Sequence, residues 1–191
     1  MSPDRQIDGP NGCWVETLPY ESATAEAREI FDAVRSPDGQ VDPLYLSHSL
    51  RPYTVLASDM LYKSTLHGDD NLLPPWFLEL VGAYTAALLA CDYAAFHHGE
   101  NFRRLAGDDA RASDRLQAIK DDRPEQACEG KELALLRYAR KLTLTPQEML
   151  ESDVEALRKA GASDGEIVEV NQVCASFNYY ARVINGLGVR R

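Results

Sequence analysis

The run from Val81 to Ala90, VGAYTAALLA, is small or apolar at nearly every position. A helix built from it has no face polar enough to meet water, so it must lie where other elements cover it on most sides. Pro74 and Pro75 stand shortly before it, and proline fits the first turn of a helix but not its interior. This is the core helix, and it needs other helices around it.

The rest of the chain supplies them. After Ser22 or Thr24 as N-cap, Ala27, Ile30, Phe31 and Val34 recur at helical spacing. Pro52 opens a second stripe through Val55, Leu56, Met60 and Leu61 toward Leu66. A helical stretch from about Cys91 to Leu105 is closed by Gly107, and Ser113 is placed to cap a short helix ending near Ile119. Lys131 to Leu142 repeats the pattern through Leu133, Leu136, Tyr138 and Leu142. Ser152 with Glu155 reads as a capping box. The last helix, from about Asp164 to Asn185, carries Ile167, Val170, Val173, Cys174, Phe177, Ala181 and Ile184 on one side. The sole period-two candidate is the weak run Val41 to Leu46. The expected fold is an all-α helical bundle. Pro3, Gly9, Pro10, Gly12 and Pro19 break any helix near the start, which predicts an extended arm over 1–21, anchored by Trp14 and Leu18, and a single helical domain over 22–191.

Charge and cysteine usage narrow the function classes. Thirty acidic against twenty basic side chains leave a net charge of −10, which repels phosphate backbones and anionic lipid surfaces, so neither nucleic acid nor membrane is an expected partner. No stretch has the length of apolar residues that a membrane helix requires, the start MSPDRQIDGPNGC has no apolar core of a signal peptide, and a cytoplasmic location is expected. The cysteines, at 13, 91, 128 and 174, are far apart and show no zinc spacing, so no metal and no cofactor are expected. Cys174 falls on an apolar helix face and reads as core, whereas Cys13 and Cys128 fall in loop-like stretches and read as exposed thiols. The aromatic stretch Phe177 to Tyr180 is read as core rather than pocket lining.

One segment holds chemistry. ELVGAYTAALLACDYAAFHHGENFRRL, beginning at Glu79, contains a carboxylate, a thiol and two adjacent imidazoles. On a helix, Cys91, Ala94 and His98 stand at i, i+3 and i+7 and face one way within about 20°, while His97 points about 100° away. His98 is one turn from position 94 but about 10 Å along the axis from Cys91, so it is placed to serve a group at 94. Glu79 in a first helical turn, and His98 bonded to a carbonyl or to Glu79, also fit purely structural roles.

The spacing of Glu79, a cysteine twelve residues later at 91, and a histidine at 98 resembles the AhpD-like alkylhydroperoxidases of the carboxymuconolactone decarboxylase superfamily. Further blocks resemble its peroxidase-related branch: SLRP at 49–52, RYARKLTLTP at 137–146, DVEALRKAGASDGEI at 153–167 and FNYYARVINGLGV at 177–189. The resemblance implies an antioxidant oxidoreductase acting on a small hydroperoxide, a homo-oligomer of two or more subunits, and catalytic roles for Cys91, His98 and Glu79. In that family a second cysteine, nearer the histidine, attacks peroxide, and the outer one resolves the product. Here Ala94 stands in its place, so a dithiol cycle within this segment is ruled out. Three functions stay open: a single-cysteine thiol peroxidase using Cys91; a decarboxylase-like enzyme in which Glu79 and His98 act as general acid and base; and a non-catalytic oligomeric binding protein.

Overall fold

The computed structural model describes residues 12–36, 39–107 and 110–190. Among them the chain is all-α, with no strand. The helices are α1 (Ala25–Val34), α2 (Pro43–Ser47), α3 (Tyr53–Leu66), α4 (Pro75–Leu88), α5 (Asp92–Ala106), α6 (Ala112–Lys120), α7 (Pro124–Ala127), α8 (Gly130–Leu144), α9 (Glu151–Lys159) and α10 (Asp164–Leu187). Short 3-10 turns occur at Tyr20–Ser22 and Pro146–Glu148. The residues fall into two compact units, one drawn from the chain up to Tyr62 and again from Arg182, the other spanning Lys63–Ala181.

In the first unit, Thr24 caps α1 by accepting from the Ala27 N–H at 3.2 Å. Ala27 and Phe31 of α1, with Ala23 just before it, pack against Leu18, Tyr20 and Val41. The described part of the expected arm is tied to the far end of the chain: Trp14 N–H donates to the Leu187 carbonyl at 2.8 Å, and Arg190 N–H donates to the Gly12 carbonyl at 2.7 Å. The Trp14 ring lies on Gly188, where a Cβ would stand 2.1 Å from an indole carbon and where φ is +64°, so glycine is required twice over. The first eleven residues of that arm, and Pro37 and Asp38 in the stop signal after α1, lie outside the described residues. Val41 to Leu46, read as a weak strand, is instead the approach to α2 and its first turns: Asp42 accepts from the Leu44 N–H and Pro43 sits at the first position, so cap and proline outweigh the alternation.

In the second unit α4 is the central element, packed chiefly against α5 and then against α8 and α6. Every residue from Phe77 to Ala86 is buried. Fully buried leucines such as Leu78, Leu80, Leu135 and Leu136 each contribute about 1.5–3 kcal/mol on leaving water. Trp76 closes one end, its ring edge-on to Phe77 and Phe102 and under the Arg115 guanidinium. The Tyr84 phenol donates to Asp122 at 2.6 Å, and Arg140 grips the same carboxylate from α8.

Two helix starts differ from the expected caps. Helix α6 begins at Ala112, ahead of Ser113, because buried Ala112 and Leu116 lie one turn apart on its inner face. In α9 the reciprocal carboxylate is Asp153, not Glu155: it accepts from the Leu150 N–H at 2.7 Å and is held by Lys141 at 2.7 Å. A full capping box opens α10, where Glu166 accepts from the Ser163 N–H and Ser163 Oγ accepts from the Glu166 N–H. Cys13 and Cys128, expected to be exposed, are buried; each lies in a non-helical stretch that is nonetheless folded inward. Cys174 is core, in contact with Thr143 Oγ1 at 3.2 Å and donating to the Ala139 carbonyl at 3.3 Å.

Candidate active site

The site grows out of the α4–α5 hairpin. Helix α4 runs to Leu88, the chain turns through Leu89 and Ala90, and Ala90 takes φ +50°, the left-handed region that L residues avoid. That turn sends α5 back along α4. Glu79, five residues into α4, and His98, seven into α5, are thereby brought side by side. His98 Nδ1 stands 2.6 Å from Glu79 Oε2. Glu79 is only 1% exposed, and the His98 side chain 13%.

A carboxylate this deep must have its oxygens satisfied. Oε2 takes the bond from His98, and Oε1 accepts from the Asn101 amide at 3.3 Å. A carboxylate accepts, so Nδ1 carries the proton and the basic lone pair of a neutral imidazole belongs to Nε2. Asn101 in turn accepts from the Arg104 guanidinium at 3.3 Å. The Phe177 ring of α10 stands edge-on to the imidazole, centroids 4.5 Å apart and planes at 78°.

Cys91 is placed differently from the expected stripe. It is the residue before α5, with φ −96° and ψ 83°, so the angular arithmetic of a regular helix holds for Ala94 and His98 but not for the thiol. Its side chain is buried. That burial pushes the thiol up from its ordinary range, the Ala94 backbone N–H acts against it, and the charge of Asp92 adds to the rise. A helix N-terminus favours a thiolate by about 0.3–1 kcal/mol, less than removal from water costs it, so the neutral thiol is the resting form. Ala94 is buried one turn before His98, a methyl group at the position the imidazole is spaced to serve. His97 turns away, its ring against Tyr93 at 4.5 Å and Phe96 at 5.4 Å.

The sequence does not single out Asn101, and it places Phe177 only in the core. A signal for Asn101 exists: it follows His98 by three residues and so shares a helix face with it. Phe177 has no such marker, because its contact with α5 comes from a helix far away in sequence. Among the described residues no cluster of three or more acidic, histidine or cysteine side chains is arranged to hold a metal ion, and no helix is long and apolar enough to cross a membrane.

No family model matches the sequence, and no curated protein matches it. Solved structures do match its fold. An uncharacterized peroxidase-related protein from Silicibacter sp. TM1040 superposes with a TM-score of 0.74 at 21% identity, covering 100% of this chain and 94% of that one. An uncharacterized peroxidase-related protein from Ralstonia eutropha JMP134, described as an alkylhydroperoxidase AhpD core, superposes with a TM-score of 0.79 at 22% identity, covering 94% of this chain and 92% of that one. At nearly full coverage of both, this chain has the AhpD-like all-α fold of peroxidase-related proteins.

Proposed function

We propose that the protein is a peroxidase-related enzyme whose working element is the Glu79–His98 pair, acting as general acid and base on a small molecule, with Cys91 in a packing role. The observation that carries this is the 2.6 Å bond between a buried carboxylate and an imidazole that keeps a foothold at the surface. Nε2 takes a proton from the substrate, and the imidazolium so formed lies against the Glu79 carboxylate in surroundings where their attraction is stronger than in water. The imidazolium, having exchanged its proton with solvent, then delivers one to the product-forming atom. Glu79 fixes the tautomer and ring orientation, as the acid does in any carboxylate–histidine pair. We further propose a homo-oligomer of at least two subunits, which sedimentation of the purified protein would reveal.

The test is exchange of deuterium from solvent into a panel of small carbon acids, followed by mass spectrometry, with peroxide consumption measured in parallel. His98→Gln is expected to lower exchange by about 10²–10⁴-fold, the usual weight of a general base, while Cys91→Ala leaves it unchanged. The reading is overturned if Cys91→Ala abolishes turnover and His98→Gln does not.

A second reading is a single-cysteine peroxidase. Its support is the position of Cys91 at the N-terminus of α5. The thiolate would attack the peroxide, giving a sulfenic acid and an alcohol, and an external thiol would restore it. Peroxide consumption lost on Cys91→Ala would favour it. Gain of consumption in Ala94→Cys alone would instead point to a lost nucleophile beside an intact Glu79–His98 pair.

A further inference from the structure

His98 is held on two sides, by Glu79 of α4 and by the Phe177 ring of α10, which is seated against α4. Glu79 of α4 holds Nδ1 directly. One turn later, Gly82 of α4 opens a notch: a Cβ there would stand 2.4 Å from Cζ of Phe177 and under 3 Å from both neighbouring ring carbons. Real Cβ atoms do not approach that closely, so the ring fills the space a side chain would take. Phe177 is 1% exposed, and Tyr180 braces it edge-on at 6.1 Å. A phenyl ring so enclosed has no low-energy way to step aside, and its edge contact with the imidazole couples the notch to the site.

We infer that Gly82 and Phe177 are positioning residues for His98: the ring seated in the Gly82 notch stops the imidazole from turning, so Nδ1 stays on Glu79 and Nε2 stays directed to the reacting molecule. This deepens the proposed acid–base function and rests on that reading for its purpose. The geometric claim itself concerns the resting protein.

The experiment is proton NMR of the ¹⁵N-histidine-labelled full chain. The Nδ1 proton of His98 in so short a bond is expected far downfield and slow to exchange, identified by its loss in His98→Gln. Gly82→Ala and Phe177→Leu are each expected to speed its exchange by about tenfold or more, within the range of coupling between residues in contact. The two changes together are expected to restore much of the protection, because leucine leaves room for the added methyl group. Leu135→Ala, a core cavity on α8 rather than on α4, α5 or α10, serves as the stability control: it should lower the melting temperature and leave the resonance in place. The inference is overturned if folded Gly82→Ala keeps wild-type exchange, or if Leu135→Ala disturbs the signal equally. If Gly82→Ala fails to fold, Phe177→Leu decides alone. A resonance that responds in this way in a protein without acid–base turnover would end the proposed function and leave the positioning intact; turnover lost with His98→Gln beside a resonance indifferent to Gly82→Ala would do the reverse.

Discussion

Of the polar side chains that helix α4 buries, Glu79 and Tyr84 stand five residues apart and are handled in opposite ways. The Tyr84 phenol, fully buried, donates outward to Asp122, which stands half in solvent and is clamped by Arg140. Burial above all, then the bond to Asp122, pushes the phenol far above its ordinary range, and Arg140 holds the Asp122 carboxyl below its own. Nothing in that cluster changes protonation near neutral pH. Glu79 instead keeps its carboxylate inside and meets a histidine, the side chain whose ordinary titration falls nearest neutrality. A buried polar group that passes its charge to the surface is a fastener; one that keeps it inside against an imidazole is equipped for proton traffic.

The largest effect that would break this contrast is on turnover. Glu79→Gln keeps shape but replaces the carboxylate with an amide, and deuterium exchange should fall by about 10²-fold or more with little change in urea midpoint. Tyr84→Phe should do the opposite, leaving turnover alone while urea denaturation shows a loss of about 1–2 kcal/mol, the worth of a hydrogen bond to a charged group tempered by the half-exposed acceptor. If Tyr84→Phe removed activity, the two clusters would not be separate in purpose.

The pH dependence sharpens the comparison further. Asp122 has its folded value depressed, first by the bond to Arg140, so its contribution is present above the unfolded carboxylate range near pH 4 and is lost as pH falls through the folded value. Arg140→Met should therefore lower stability at neutral pH and flatten its fall below about pH 4, so that thermal melts of variant and wild type converge in acid. The smallest effect concerns the turn that pairs the two helices. Ala90→Gly should relieve the left-handed backbone, offset in part by glycine's entropy in the unfolded chain, for a net gain of about 0.5 kcal/mol.

How much of this was written in the letters depends on the distance between partners. The burial of Val81 to Ala86 and the helical stripes follow from local periodicity, and so does the one-turn spacing of Ala94 and His98, whereas Ala87 to Leu89 are only half-buried and Ala90, in the turn after the helix, is exposed. Asp122 at φ +56° and the inward fold of Cys128 depend on packing between helices that no local pattern encodes. Burial and the charge of Glu132 push the Cys128 thiol up to about 12, the reverse of the exposed thiol its loop suggested. Glu79 is the instructive case: in a helix otherwise small and apolar, a carboxylate could have marked the water-facing edge, and only α5 folding back shows that it faces inward. Phe177 and its notch were out of reach because they join residues on α4 and α10.

The chain has two tryptophans, and each compact unit holds one. Trp14 lies on Gly188 near the Arg190 guanidinium, while Trp76 is packed between Phe77 and Phe102. Each unit thus carries its own intrinsic fluorophore. Replacing either indole with phenylalanine turns emission into a private readout of the other unit, so a single pair of melting curves would reveal whether the two halves come apart in one event or in sequence.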